Sequence, residues 1–149
     1  MKRDPALVTL SHDHHQALFV AQRLRRATDA SAAEDRAALL AFWNEHGRAH
    51  FRSEEDVLLP AFAAHGDPFD PLVARALCEH VEIRARVAAI VARTDPQPDG
   101  LRELGERLAA HVRGEERELF PLVERTMPAP ALAELAQALQ AEEEGHGDG

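Results

Sequence analysis

The sequence predicts an all-α protein: a four-helix bundle in up-down-up-down order, with a short fifth helix at the C-terminus. Three observations lead there. Ala, Leu, Glu and Arg, all strong helix formers, dominate the chain. Strand vocabulary is nearly absent, with no tyrosine, no Asn-Gly turn and no sustained two-residue alternation. Helix breakers then divide the chain into segments joined by short loops, which makes successive helices antiparallel neighbours.

The first helix runs up to Thr28-Asp29-Ala30-Ser31, and Ser31 with Glu34 reads as a capping box for the second. His65-Gly66-Asp67-Pro68 ends the second. Asp70-Pro71 then supplies the third with an N-cap followed by proline at the first helical position. The stretch from Thr94 to Gly100 is the next loop, and Met127-Pro128-Ala129-Pro130 the last. A fifth helix at about residues 131–142 lays Leu132, Leu135 and Leu139 on the bundle. Residues 1–142 are therefore expected to form one bundle domain, and residues 143–149, EEGHGDG, a flexible acidic, glycine-rich tail. Pro60 and Pro121 fall late in the second and fourth helices, and each is expected to kink or end its helix there.

Composition narrows the function classes. A 45% hydrophobic chain of 149 residues can bury a core without staples. The net charge of −9 argues against a nucleic-acid partner, which needs a basic face. No apolar run approaches the roughly 18 residues of a membrane span, so no membrane partner is expected. The N-terminus lacks the apolar core of a signal peptide. The single cysteine, Cys78, cannot form an internal disulfide and reads as a small buried residue, which points to the cytoplasm.

Helical periodicity places one histidine in the apolar stripe of each of the four helices. His14 lies with Leu7, Leu10, Leu18 and Ala21; His50 with Leu39, Trp43 and Val57; His80 with Val73, Leu77, Val87 and Val91; His111 with Leu104, Leu108 and Leu122. Glu54 and Glu115 share the stripes of His50 and His111. One histidine on an apolar face is most simply a core residue with a hydrogen-bond partner. Buried carboxylates differ, because ionised they cost several kcal/mol unless paired or metal-bound. Arg52 and Arg113 fall off the stripes and do not neutralise them. Four inward histidines and two inward glutamates together favour a metal.

The spacing has a chemical sense. A His-x-x-x-Glu pair puts two ligands one above the other on a helix. Two such clips occur, in HFRSEEDVLLP (50–60) and HVRGEERELFP (111–121), offset by 61 residues. A weaker echo at 66 residues links Asp13-His14 to Glu79-His80. Two hairpins, each giving two histidines and one glutamate, would build a site with a pseudo-two-fold axis. Glu54 and Glu115 can bridge two cations about 3.5–4 Å apart. Imidazoles with bridging carboxylates and no thiolate favour two iron ions, with manganese or zinc as substitutes.

These residues resemble the hemerythrin-like, or HHE cation-binding, family, over about residues 6–127. Its ligand pattern is met by His14, His50/Glu54, His80 and His111/Glu115, and both repeats resemble its His-x-x-x-Glu-Glu-x-x-Leu-Phe-Pro text, the first with Leu59 in place of the phenylalanine. The resemblance implies a non-haem di-iron centre with O2, NO, peroxide or iron as ligand. Oxygen-carrying members place a second histidine four residues beyond the third-helix one, where this chain has Arg84, and a longer-spaced aspartate on the fourth helix. Reversible O2 transport is therefore not the expected role. The expected function is binding or sensing of O2, NO, peroxide or iron; the alternative is a small di-iron enzyme with peroxidase-, oxidase- or catalase-like activity. The Glu-x-x-His clips of ferritin-like bundles are missing, apart from Glu143/His146 in the tail.

The remaining candidates have plainer readings. His15 is the alternative to His14, and His12 sits at the exposed helix start. His46, one turn before His50, is read either as an access-channel group or as an ordinary half-buried histidine. Glu55 and Glu116 are expected in solvent, or hydrogen-bonded to a ligating histidine. Arg84 is expected as a surface arginine, with anion steering at a site entrance the alternative. His65 and His146 belong to a loop and the tail.

Overall fold

Asp70 caps the third helix as expected: its carboxylate accepts the Leu72 N–H at 2.9 Å, and Pro71 follows at the first helical position. This helix is one of five in the computed structural model, which describes residues 2–147; among these no strand occurs. We label them α1 (residues 5–25), α2 (32–63), α3 (Pro71–Ala92), α4 (98–126) and α5 (Ala129–Gly147). The bundle is all-helical. No described helix is long and apolar enough to cross a membrane.

The start of α2 departs from the capping-box expectation. The Ser31 hydroxyl donates to Asp35 at 2.6 Å and accepts the Thr28 N–H at 2.9 Å instead of capping an N–H of α2, and Glu34 stays exposed. Asp35 is buried, and the Arg23 guanidinium at 2.7 Å supplies its counter-charge. A buried carboxylate without such a partner is costly, so this tie outcompetes the box and fastens α1 to α2.

The two prolines do not end their helices. Directly before each lies a widened π turn, Glu54–Leu58 in α2 and Glu115–Leu119 in α4. There the Leu59 and Phe120 N–H groups reach back five residues to the Glu54 and Glu115 carbonyls. Proline has no N–H to donate and its ring crowds the carbonyl four residues earlier, and the wider turn accommodates both. A third π turn spans Trp43–Gly47. Each takes more residues per turn than an α-helix, so downstream side chains lag in phase. Leu58 is therefore fully buried where a regular helix would place Val57, which is only half-buried.

Apolar side chains form two clusters. One gathers Leu7, Leu10, Leu58, Phe62, Phe120 and Val123 with Leu132, Leu135 and Leu139 of α5; the other gathers Ala21, Leu24, Leu39, Trp43, Phe51, Ile83 and Leu104. The closest helix pair is α1 with α4. Gly105 permits it, because a Cβ there would stand 2.6 Å from the Ala21 carbonyl oxygen.

Other expectations need correction. Leu77 and Val91 of α3 are exposed, and Ala76 and Ile83 fill the inward stripe beside Val73, His80 and Val87. Leu18 is half-buried, with Ala17 taking the inward place on α1. Cys78 is exposed, on an outward face of α3 that carries no charge at Ala74, Val81, Ala85 and Ala88. Finally, α5 begins at Ala129 and runs through Gly147, so residues 143–147 continue a helix that composition ends near Glu142. Asp148 and Gly149, the end of the expected tail, lie outside the described residues.

Candidate metal centre

His14, His50, Glu54, His80, His111 and Glu115 meet inside the bundle. Each is buried: the glutamates are 1% and 2% exposed, figures normal for leucine and rare for a carboxylate. His14 comes from α1, His50 and Glu54 from α2, His80 from α3, and His111 and Glu115 from α4. His15 and His12 are exposed, as are Arg52, Arg113 and His65. The structure thus brings all six expected residues together and leaves the alternative, His15, outside.

The inner atoms crowd one another. The His80 Nε2 lies 3.2 Å from Glu54 and 3.9 Å from Glu115, and the His50 Nε2 lies 3.4 Å from Glu54. The Nε2 atoms of His14 and His50 face each other at 3.2 Å, and His14 stands 3.9 Å from Glu115. His111 Nε2 abuts the Glu115 carboxylate. Yet the Nε2 atoms of His80 and His111 and all four oxygens of Glu54 and Glu115 form no hydrogen bond of acceptable geometry. Six orphaned buried polar atoms on one spot are not a normal core, where such atoms are satisfied.

A cation explains them. Ligands about 2.1 Å from one ion stand roughly 3–3.5 Å from each other, and the His80–Glu54, His50–Glu54 and His14–His50 contacts, at 3.2, 3.4 and 3.2 Å, fall in that range. Two sets have this geometry, His14, His50, Glu54 and Glu115 on one side and His80, His111, Glu54 and Glu115 on the other. They share both glutamates. The residues fit a metal site built of imidazole nitrogens and carboxylate oxygens.

Around this inner group runs an outer ring of carboxylates. Each histidine presents its Nδ1 to one of them: His14 to Glu116 at 2.7 Å, His50 to Asp13 at 3.1 Å, His80 to Glu55 at 2.6 Å and His111 to Glu79 at 2.8 Å. Every link crosses to a neighbouring helix, so the ring runs α1 to α2, α2 to α3, α3 to α4 and α4 back to α1. Each outer carboxylate is the chain neighbour of an inner residue. A carboxylate on Nδ1 keeps the proton there and leaves Nε2 free as a ligand atom.

Two of these carboxylates are clamped further. Arg84 donates to Glu55 at 2.7 Å and lies over the Phe51 ring, which stacks on His80 at 3.8 Å. Arg3 donates to Glu116 at 3.0 Å and lies over the Phe120 ring, which stacks on His14 at 5.2 Å. Arg84 is therefore not a free surface arginine. It fixes the partner of His80.

Electrostatics follow from the carboxylate crowd. Burial works against charge on His111, but Glu115 and Glu79 outweigh it and push the imidazole up to about 10. Burial likewise opposes charge on His80, and Glu115 and Glu54 raise it to about 9. His50 is raised well above its ordinary value, Glu54 and Asp13 overcoming desolvation. Desolvation alone would raise Glu54, yet His50 and the other neighbours hold it well below the usual carboxylate range. Glu116, despite partial burial, is brought down to about 2 by His14 and Ser11. The carboxylates thus favour protons on His50, His80 and His111.

Sequence reasoning missed Asp13, Glu79, Arg3, Phe51 and Phe120 as parts of this site. The signal for the first two was the repeated acid-His pair; Glu55 and Glu116 stood in the repeated Glu-Glu. Nothing local marks Arg3 or the two phenylalanines.

No curated protein and no solved structure matches the chain. The model of the hemerythrin HHE cation-binding domain family does, over residues 6–123, a span that contains every inner and outer site residue described above except Arg3. With this match over most of the chain and the ligand geometry agreeing, the protein belongs to the hemerythrin HHE cation-binding domain family.

Proposed function

We propose that this protein holds two non-haem iron ions and binds a small ligand at them, O2, NO or peroxide, as a sensor or store. One observation carries the reading: two four-residue ligand sets share Glu54 and Glu115, and six of their inner atoms, all four glutamate oxygens and the Nε2 of His80 and His111, lack a hydrogen-bond partner. His14 and His50 would hold one ion and His80 and His111 the other, with both glutamates bridging. Each ion then receives two imidazoles and shared carboxylates, fewer than six protein ligands. Iron held there would supply redox chemistry and a place for the small ligand. The chain's own residues orient the imidazoles through the outer ring and keep the centre away from bulk water. Manganese or zinc are the substitutes this donor set accepts.

With this reading go an up-down-up-down order of α1 to α4 with α5 laid across it, one domain through residue 142, and a cytoplasmic setting without nucleic-acid or membrane partners. The decisive experiment is metal analysis of anaerobically purified protein, with optical spectra before and after air or peroxide. Two iron ions per chain and a spectral change are expected. One ion or none would defeat the di-iron reading, and sustained turnover of hydrogen peroxide would move the protein to the enzyme class.

A further inference from the structure

The outward face of α3 is left uncovered by the rest of the chain. Ala74, Cys78, Val81, Ala85, Ala88 and Ala92 form one line along it, and all are exposed. Their spacing alternates between four and three residues, the repeat of a seam along which two helices pack. Leu77 and Val91 border the line on one side and Ala89 on the other. Val81 is 66% exposed, Val91 49% and Leu77 39%. Half of the large apolar side chains left in solvent among the described residues thus lie on this one helix. Single exposed apolar residues are ordinary, whereas a contiguous apolar stretch marks an interaction surface.

Charge is cleared from this face. Arg84, the one charged residue within it, is turned back to Glu55 and over the Phe51 ring. Glu82 and Arg86 stand at its edge, 3.7 Å from each other. The chain carries a net charge of −9, so two copies repel over most of their surface and least where this face is presented. The face also complements itself. Turned antiparallel about a two-fold axis between Val81 and Ala85, two copies set Ala74 against Ala92, Cys78 against Ala88 and Val81 against Ala85. In that register Leu77 meets Val91 of the second copy on one flank. On the other flank the two Glu82 come together between the two Arg86, so each carboxylate has an arginine of the other copy within reach and the group has no net charge.

We propose that this protein pairs with a second copy of itself through α3, antiparallel and in that register, as a weak two-fold dimer. No side chain on the seam is larger than valine, which lets the helix axes approach to about 8 Å. The paired stretch, residues 74–92, is about 27 Å long. A contact one helix wide falls at the small end of specific interfaces, below about 1,200 Å². The dimer therefore forms at micromolar concentration or above and exchanges with the single chain. A two-fold contact closes on itself, so it yields pairs and not filaments. The inference stands apart from the metal reading, because every seam residue is exposed and the six inner residues are buried.

Three measurements on the full chain as purified test it. Sedimentation under reducing conditions, from micromolar to millimolar concentration, should show the mass rise from one chain towards two. Val81→Glu, at an exposed position, should weaken that pairing about tenfold or more by setting two carboxylates into the seam, with helicity unchanged. Ala88→Cys, mildly oxidised, should give a covalent dimer in which position 88 of one copy is joined to Cys78 of the other. The native chain should not link through Cys78, because in this register the two Cys78 lie about 15 Å apart along the helices. Positions 78 and 88 of a single chain are equally far apart and cannot bond to each other. A single mass over the whole range, a Val81→Glu variant that pairs as tightly as the native chain, or an Ala88→Cys variant that links no better than the native chain would each overturn the proposal. Should Val81→Glu fail to fold, the Ala88→Cys linkage still decides it.

Discussion

The half of the centre around His14 and His50 and the half around His80 and His111 are alike in their ligand atoms and unlike in their surroundings. Both have two imidazoles, both share Glu54 and Glu115, and both have a carboxylate on each Nδ1. The likeness follows the sequence repeat. The differences do not. Arg3 precedes α1 and Arg84 lies one turn beyond His80 in α3, yet each clamps the equivalent glutamate. Phe51 and Phe120 stack on equivalent histidines, while their repeat mates are Val112 and Leu59. What the metal demands is kept symmetric, and what merely supports is assembled from whatever side chain is near.

The strongest way to break the comparison is to remove a shared residue. Glu54→Ala and Glu115→Ala should each lower metal content from two ions per chain to one or fewer, to the same extent, because both halves depend on both carboxylates. Metal analysis that still finds two ions would show that neither bridges. Next come the outer carboxylates. Glu55→Gln and Glu116→Gln should weaken metal binding about 10–100-fold by chelator competition, and equally, since they occupy matching places. A loss confined to one of them would show that the halves bind independently.

Acidity sharpens the comparison in the metal-free protein. His80 and His111, near 9 and 10 when folded, lie above the unfolded value of 6.5. Their protonation therefore stabilises the fold fully below about pH 6.5 and ceases to as pH rises through 9 to 10. Melting temperature of the metal-free protein should fall across that interval, and metal uptake at pH 7 should release protons, seen by calorimetry in two buffers of different ionisation enthalpy. Uptake without proton release would mean the imidazoles were already neutral. The smallest effects belong to the clamps. Arg84→Met and Arg3→Met should each lower metal affinity only a few-fold, without changing stoichiometry at saturating metal. A full loss of one ion would promote the arginine from support to necessity.

How much of this was legible in the sequence follows one division. The six inner residues were readable because metal chemistry fixes residue type and helical spacing together, and because the text occurs twice. The Asp70 cap was readable for the same local reason. Partners across helices were only partly so. Glu55 and Glu116 sit a third of a turn off the stripe, which left solvent and a bond to a ligating histidine both open, and the packed bundle aims them at the next helix's histidine. Val57, and a helix end at either proline, were misread because a constant 100° per residue has no room for a π turn. Leu77, Val91 and Cys78 were assigned inward because apolar character was equated with burial, although α3 is apolar on more than one side.

The widened turns at Glu54–Leu58 and Glu115–Leu119 impose a rule on the chain's length. Such a turn is an ordinary helix carrying one surplus residue, so cutting a residue from either would be absorbed by straightening rather than by a loop. The side chains beyond the cut would keep their faces, Leu58 or Leu119 still in its apolar cluster, because the phase lag and the surplus residue cancel. What the cut would remove is the slack around proline, whose ring would then be set against the carbonyl four residues earlier.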